Sequence, residues 1–165
     1  SNLLTERDYS ELNFSNQGVV IDEYQLTGKI DWLHYNSEEN RYEIHDFKTG
    51  KPVGSWKGSS DYEKIKLHKY RQQLLFYKIL IDNSRDYHNK FNPACGFIDY
   101  IQPANGKIIS IELSYEQSEI DELKKLISSV CKQIHSLEFP DITTFAATYT
   151  GIKAFEDSLL KDNNT

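Results

Sequence analysis

The sequence predicts a mixed α/β domain in which a central β-sheet is flanked by α-helices. Short extended segments separated by turn residues fill the N-terminal third, and two long segments with helical periodicity follow. A further pair of extended segments lies between those two helices. The predicted order is therefore βββ-α-ββ-α-α, and 165 residues suffice for one domain with a single core.

Three strands are predicted before the first helix. Residues 12–21 and 24–35 have an extended pattern, with the turn sequence Asn16-Gln17-Gly18 inside the first of them. A polar turn separates the second from the third strand, residues 41–48. Three glycines and one proline then predict a loop over residues 49–60.

A helix is predicted over residues 60–82, because Ser60 and the Glu three positions later have the spacing of a capping box. Strands are predicted over residues 94–102 and 107–113. The sequence Pro103-Ala104-Asn105-Gly106 between them is typical of a β-hairpin turn.

The second long helix is predicted to begin with another capping box, at Ser114, and to end near residue 137. Its apolar residues recur every three or four positions and predict a buried stripe: Ile120, Leu123, Ile127, Val130, Ile134 and Leu137. A short amphipathic helix is predicted over residues 152–160. We expect residues 1–165 to be a single domain cut from a longer protein, with a tag remnant at residues 1–2 and a C-terminal extension over 141–165.

Charge is unevenly distributed along the chain. In total, 25 acidic and 19 basic residues give a net charge of −6, which argues against indiscriminate coating of nucleic acid. Residues 48–71 nevertheless carry seven basic and two acidic side chains, whereas residues 112–165 carry five basic and ten acidic ones. The basic segment indicates either a directed phosphate contact or an ordinary solvated face of a loop and a helix.

The two cysteines, Cys95 and Cys131, form no CxxC pair, which argues against a zinc or iron–sulfur motif. We expect both to be small buried hydrophobic residues in a reducing cytosol. No apolar run approaches the ~20 residues that span a bilayer, and no signal peptide opens the chain. These observations predict a cytoplasmic protein with no membrane partner.

The candidate chemistry lies at residues 28–32 and 44–50, where Asp46 and Lys48 form an Asp-x-Lys triplet. With 12 Asp and 15 Lys in the chain, about one such triplet is expected by chance, so the triplet alone has little weight. Residues i and i+2 of a strand share a face, so Asp46 and Lys48 should project together while Phe47 packs into the core. If the neighbouring strands pair through their turn, Asp31 comes next to Asp46.

Two adjacent carboxylates repel each other, and a divalent cation removes that cost. Mg²⁺ prefers oxygen ligands and is often held by one or two carboxylates together with a substrate phosphate. Lys48 beside such an ion would orient or activate water and offset charge in the transition state. On spacing alone, the alternative is a surface salt bridge between Asp46 and Lys48, with Asp31 as an ordinary strand-end acid.

The first long helix places Tyr70, Gln73 and Tyr77 on one face, because they are spaced by three and four positions. These side chains would be able to reach a phosphate or the lysine. The alternative is a half-buried amphipathic helix with tyrosines at its margin.

Three ordered motifs resemble those of the PD-(D/E)xK nucleases. They are Leu26-Thr27-Gly28-Lys29-Ile30-Asp31, Ile44-His45-Asp46-Phe47-Lys48-Thr49-Gly50 and Tyr70-Arg71-Gln72-Gln73-Leu74-Leu75-Phe76-Tyr77. The most similar branch is the RecB-like one, with motifs G-x-I-D, D-x-K-T-G and Q-L-x-x-Y. Residues 61–82 and the Leu-Glu-Phe-Pro at 137–140 resemble nuclease domains at the C-termini of UvrD/Rep-type helicases. The resemblance covers most of residues 20–140 and implies a restriction-endonuclease-like core.

The resemblance also implies an activity, the metal-dependent hydrolysis of phosphodiester bonds in DNA. It assigns metal binding to Asp31, Asp46 and the backbone carbonyl of Phe47. It makes Lys48 the catalytic lysine. Gln73 and Tyr77 would position both Lys48 and the DNA backbone. The implied cofactor is Mg²⁺, for which Mn²⁺ substitutes, and the residues expected to contact DNA are Lys51, Lys57, Lys69, Tyr70 and Arg71.

The implied partners are DNA, as single strands or duplex ends, and upstream helicase domains of the same polypeptide acting in repair or recombination. Two features depart from the RecB-like pattern. His34 and His45 do not occupy the position of its metal-binding His, and His45 should face away from the site. Residues 141–165 contain no cysteine, so no iron–sulfur cluster is expected. The alternatives are a catalytically silent module that grips DNA or braces a helicase, and a protein-interaction domain with an acidic C-terminal contact surface.

Overall fold

Five strands form the main sheet: β1 (Tyr9–Asn13), β4 (Lys29–Asn36), β5 (Arg41–Lys48), β6 (Pro93–Ala104) and β7 (Lys107–Ser114). The computed structural model describes residues 7–104 and 107–161. The strands are arranged in the order β1-β4-β5-β6-β7, and only β5 and β6 run parallel. This mixed sheet, with helices packed on it, confirms the predicted α/β class.

Each of the first two predicted strands is divided in the structure. Residues 12–21 contain the end of β1 and the whole of β2 (Val19–Ile21), and residues 24–35 contain β3 (Tyr24–Leu26) and most of β4. β2 and β3 form a separate two-stranded hairpin. The break after β1 coincides with the predicted turn, where Gly18 has a φ of +61°. An extended sequence pattern does not reveal this division, because it records backbone conformation and not the partner of each strand.

Three α-helices follow or separate the strands: α1 (Asp61–Asp82), α2 (Gln117–Ser136) and α3 (Tyr149–Lys161), with a short 3₁₀ helix at Ile142–Thr144. The predicted start of α1 is confirmed, since Ser60 is its N-cap and accepts a hydrogen bond from the backbone N–H of Glu63 at 3.2 Å. The predicted cap at Ser114 is wrong. Ser114 ends β7 in extended conformation, and α2 begins after Glu116, which makes no side-chain cap bond.

α1 connects the two parallel strands, β5 and β6, because parallel neighbours need a long crossover. It packs on the sheet closely at two glycines. A Cβ on Gly28 would lie 2.7 Å from Leu80 Cδ1, and one on Gly96 would lie 3.0 Å from a methyl group of Leu74. The largest side chains of the core, all buried, are Tyr100, Phe14, Phe91, Ile30, Leu33, Ile44, Leu74, Ile79, Leu80, Ile81, Ile98 and Leu159.

The predicted apolar stripe of α2 is buried only in its first half. Ile120 and Leu123 belong to the core, whereas Ile134 and Leu137 are 53% and 76% exposed. Helical periodicity shows which positions share a face, but not how far the neighbouring elements extend along that face.

The remaining predictions about local structure concern the hairpin, the cysteines and the last helix. β6 and β7 pair antiparallel as far as Ala104 and Lys107, and Asn105-Gly106 of the predicted turn lie outside the described residues. Cys95 is buried as expected, but Cys131 is only partly buried. α3 is longer than the predicted helix over 152–160. Among the described residues, no helix is both long and apolar enough to cross a lipid bilayer.

Candidate active site

Two carboxylates meet where β4 and β5 lie side by side. The last regular pair of these antiparallel strands is Trp32 with His45, so Asp31 and Asp46 occupy the next pair of positions. Asp31 Oδ2 accepts a hydrogen bond from the backbone N–H of Phe47 at 3.1 Å. Asp46 is 1% exposed, whereas Asp31 is half-buried. One acid therefore faces solvent while the other lies between the sheet and α1.

Four side chains, one of them that of Asp46, form a closed ring of polar contacts. Lys48 Nζ lies 2.5 Å from Asp46 Oδ2 and donates to Gln73 Oε1 at 2.8 Å. Gln73 Nε2 donates to the Tyr77 hydroxyl at 2.7 Å, and that hydroxyl donates to Asp46 Oδ1 at 3.1 Å. The structure thus brings together four of the residues that the sequence nominates, two from β5 and two from α1.

Burial and neighbouring charges shift the acidity of this ring. Burial raises the pKa of the Asp46 carboxyl, and the charge of Asp31 adds to the rise, while Lys48 and Tyr77 oppose it. Burial, followed by the charge of Asp46, raises the pKa of Tyr77 well above its ordinary value. Tyr77 therefore stays a hydrogen-bond donor. The carboxylate of Asp46 is held at a free-energy cost that a bound cation would relieve.

The donor atoms at this position suit a hard divalent cation. Asp46 Oδ2 is buried and, within the described ranges, has no hydrogen bond of good geometry; its close neighbour is the Lys48 ammonium. Asp31 and the peptide of Phe47 lie beside it and add oxygen donors. No group of three or more His, Cys, Asp or Glu in residues 7–104 and 107–161 is arranged to hold a metal. Two carboxylates and a carbonyl nevertheless fit Mg²⁺, which usually retains waters and takes the rest of its ligands from substrate phosphate.

The side chain of Phe47 does not pack into the core, and this prediction is wrong. The ring is 41% exposed and lies 6.2 Å from that of Trp32, because the face of the sheet opposite α1 leaves this end of β5 open to solvent. His45 lies on the same face and its Nδ1 contacts Asp99 Oδ2 at 2.7 Å. His45 therefore faces away from Asp31 and Asp46, as predicted.

The residues expected to contact DNA divide into two groups. Tyr70 joins the site, since its ring centroid lies 4.8 Å from Lys48 Nζ. The backbone carbonyl of Lys51 lies at the rim, where it accepts a hydrogen bond from Lys66 Nζ at 3.3 Å. Lys69 is exposed on α1.

Arg71 and Lys57 lie elsewhere. Arg71 makes a bidentate contact with Glu119 of α2, at 2.6 and 2.8 Å, on a different face of α1 from Gln73. Lys57 lines a groove together with Arg71 and Trp56. The structure does not bring these two basic residues to Lys48.

One basic residue at the site, Lys66, is absent from the sequence-based set. Its Nζ lies 5.7 Å from the ring centroid of Tyr70 and 5.4 Å from that of Tyr100. Tyr100 in turn pairs with Lys48 in the register of β5 and β6. Extending the helical spacing of Tyr70, Gln73 and Tyr77 by one turn toward the N-terminus would have found Lys66.

The fold and the site together define an α/β domain with two carboxylates and a lysine at the ends of neighbouring strands. A family model for the PD-(D/E)XK nuclease superfamily matches residues 4–147. The chain therefore belongs to the PD-(D/E)XK nuclease superfamily, whose members are usually nucleases and generally use divalent metals.

Two further comparisons complete this result. Comparison with curated proteins finds no match. Among solved structures, the chain is similar to the crystal structure of SSO0001, with 17% sequence identity and a TM-score of 0.42. The alignment covers 80% of this chain and 51% of that one, so this chain spans about half the length of that protein.

Proposed function

We propose that this domain is a metal-dependent deoxyribonuclease that hydrolyses phosphodiester bonds. The observation that carries the proposal is the closed ring that fixes Asp46 and Lys48 beside Asp31. Burying a carboxylate next to a second carboxylate costs free energy, and apolar residues would fill the same space without that cost. Metal binding and phosphate chemistry would explain why two carboxylates and a lysine lie together here, whereas the stability of the fold does not.

The metal would be held by Asp31, Asp46 and the backbone carbonyl of Phe47. A bound Mg²⁺, or Mn²⁺ in its place, would polarise the scissile phosphate and lower the pKa of a coordinated water. Asp46 contributes through its oxygen Oδ2, which has no hydrogen bond of good geometry among the described residues. Asp31 is half-buried and therefore remains partly accessible to solvent.

Lys48 supplies positive charge where negative charge develops on the phosphate, and it orients the attacking water. Water attacks phosphorus in line with the departing 3′ oxygen. Asp46 and Gln73 contact the ammonium directly, and Tyr77 in turn holds Gln73 in place. A side chain held by two such neighbours loses little entropy when the transition state forms. The Tyr70 ring beside the ammonium restricts it further.

The biological setting follows from the resemblance to RecB-like nucleases. We propose that the domain belongs to a cytoplasmic helicase-nuclease, related to UvrD/Rep-type proteins, that processes DNA ends in repair or recombination. The supporting feature is the spacing of the three motifs that end at Asp31, Gly50 and Tyr77. The substrate would be single-stranded DNA or duplex ends delivered by the helicase.

A second candidate function is a DNA-gripping or helicase-bracing module without catalysis. It is favoured by one observation, that the described residues offer a metal only two carboxylates and no His ligand. In that case the ring around Asp46 would serve only to hold β5 against α1.

Cleavage of an end-labelled linear single strand separates the two candidates. Wild type, Lys48→Ala, Asp31→Asn and a matched exposed-lysine control, Lys125→Ala, would be compared with Mg²⁺, with Mn²⁺ and with EDTA. We expect metal-dependent cutting by wild type and the control, and its loss in the two site variants. Because Asp31 is half-buried, its variant should fold even if Lys48→Ala does not. Cutting that persists in Asp31→Asn would refute the assignment, and binding of DNA without cutting would favour the second candidate.

A further inference from the structure

We propose that a single strand of DNA reaches the active site along the N-terminal half of α1, where Lys66 binds a phosphate close to the scissile one and Tyr62 stacks against a base. This inference rests on the proposed nuclease function. It adds the form of DNA that the site accepts and the path that the strand follows.

The position of Lys66 relative to the catalytic lysine supports this path. Lys66 lies one turn before Tyr70 on the face of α1 that carries Gln73 and Tyr77. Lys66 Nζ and Lys48 Nζ lie 5.7 and 4.8 Å from the same Tyr70 ring centroid, so the two ammonium groups are about 10.5 Å apart at most. At a rise of about 3.4 Å per nucleotide, this upper limit corresponds to about three nucleotides, so both ammonium groups can contact phosphates of the same short stretch of one strand.

Lys66 retains the donors that a phosphate needs. Its ammonium has three N–H groups and makes one hydrogen bond within the described part of the chain, the 3.3 Å contact with the Lys51 carbonyl. No carboxylate oxygen of residues 7–104 or 107–161 lies within 4.0 Å of it. Lys48, by contrast, is engaged by Asp46 and Gln73. The rings of Tyr70 and Tyr100 hold the Lys66 ammonium at the rim of the site without neutralising its charge.

Tyr62 extends the same stripe by one further turn. It lies four positions before Lys66, and its side chain is 75% exposed. An exposed aromatic ring beside a cation is the arrangement that binds single-stranded nucleic acid, because unpaired bases have free faces for stacking. Bases inside a duplex do not, so Tyr62 should favour single strands.

The other basic surface of α1 offers a weaker path. Arg71 is bound by both oxygens of Glu119, so its charge is already compensated. Lys57 and Lys64 also line that groove and have no ion pair among the described residues, but the structure does not bring Arg71 or Lys57 to Lys48. The closeness of Lys66 to Lys48, on either side of the Tyr70 ring, favours the face that leads to the catalytic ring.

A binding and cleavage experiment tests the role of Lys66. Affinity for a fluorescent single-stranded oligonucleotide would be measured in EDTA by anisotropy, and cleavage kinetics with Mg²⁺, for wild type, Lys66→Gln, Lys66→Arg and the control Lys125→Gln. We expect Lys66→Gln to weaken binding and raise KM about tenfold with kcat within about twofold, because one charged phosphate contact is lost. The slope of log affinity against log salt should fall by about 0.7, the value for one phosphate of a single strand. Lys66→Arg and Lys125→Gln should behave like wild type.

Neutral methylphosphonate linkages, placed one at a time beside the scissile phosphate, identify the phosphate that Lys66 contacts. One position should weaken binding to wild type about tenfold and leave binding to Lys66→Gln unchanged, since the contact is already absent there. Equal losses in both proteins at every position would overturn the assignment.

Tyr62→Ala and Tyr62→Phe test the stacking contact. We expect Tyr62→Ala to weaken single-strand binding severalfold with little effect on a blunt duplex, and Tyr62→Phe to retain binding, because the ring is kept. Equal effects on both forms of DNA would refute the proposed path. If wild type neither binds nor cuts DNA, the proposed function itself fails. If wild type cuts and Lys66→Gln is indistinguishable from it, the function stands and the path alone is wrong.

Discussion

Substitution of Gln73 by Ala tests whether the ring around Asp46 positions Lys48 for catalysis. Gln73 accepts from the Lys48 ammonium at 2.8 Å and donates to the Tyr77 hydroxyl at 2.7 Å, so the variant removes both contacts at once. The carboxylate of Asp46 and the positive charge of Lys48 remain. The variant therefore changes the position of the ammonium without changing the charge of the site.

The expected magnitudes follow from these two contacts. A hydrogen bond to a charged group contributes ~1.5–3 kcal/mol and a neutral one ~0.5–1.5 kcal/mol. Because the Lys48 side chain is 18% exposed, water replaces part of the lost contact, and we expect a net loss of ~2 kcal/mol in the free energy of unfolding. For a domain of this size that lowers Tm by about 4–8 °C. A displaced ammonium should lower kcat by about 10- to 100-fold, or ~1.4–2.7 kcal/mol in the activation free energy.

The matched control is Gln72→Ala. Gln72 is the neighbouring residue on α1, and its Nε2 donates to Glu156 Oε1 at 2.8 Å on another face of the helix. Thermal unfolding and single-turnover cleavage would be measured for both variants. We expect comparable losses of Tm but a loss of kcat only in Gln73→Ala. An equal kcat in the two variants would refute the positioning role of the ring.

Three further predictions concern stability and metal binding. Burial raises the pKa of Glu156, but its hydrogen-bonded cationic partners lower it by more, so the pKa lies below its ordinary value. The carboxylate therefore stabilises the fold fully above the unfolded pKa of about 4.3, and this stabilisation is lost as pH falls through the folded pKa. The Tm difference between wild type and Glu156→Gln should shrink as pH falls below the unfolded pKa and through the lower folded value; a constant difference would contradict this assignment. Gly151→Ala should lower the free energy of unfolding by about 3 kcal/mol, measured by thermal unfolding, because the new Cβ would lie 1.9 Å from the carbonyl oxygen of Ala146. The control is Gly54→Ala, whose Cβ would meet no atom within 4 Å and which should match wild type. Mg²⁺ at about ten times its Kd should stabilise wild type by ~1.4 kcal/mol, and an equal rise of Tm in Asp31→Asn would argue against metal binding there.

Local rules account for the features of the fold that are predicted correctly. The helix-capping preference of Ser60 places the start of α1, because it depends only on the backbone of the next three residues. The alternation of side chains along β5 places Asp46 and Lys48 on one face and His45 on the other, since it depends only on extended geometry.

The wrong or incomplete predictions all depend on what lies opposite a residue. Phe47 is exposed because its face of the sheet is open at that point, although its strand alternates as expected. Leu137 is exposed because the elements that bury the start of α2 do not cover its end. Ser114 has the residue type of a helix cap, yet it is held in β7 by pairing with Cys95. In each case, tertiary contacts override the local preference of the residue.

The sequence by itself determined the α/β class, the boundaries of α1, and which residue types stand at Asp31, Asp46, Lys48, Gln73 and Tyr77. These follow from periodicity, capping and motif order, which are properties of short segments. The tertiary structure alone decided which partner each cation meets. Lys48 meets Gln73 across 25 positions and Arg71 meets Glu119 across 48, whereas Lys66 has no carboxylate oxygen within 4.0 Å among the described residues and donates to the carbonyl of Lys51. The physical reason is that the amino-acid sequence specifies the sign and number of the charges. Whether each charge is paired with an opposite one depends on distances between groups that only folding brings together.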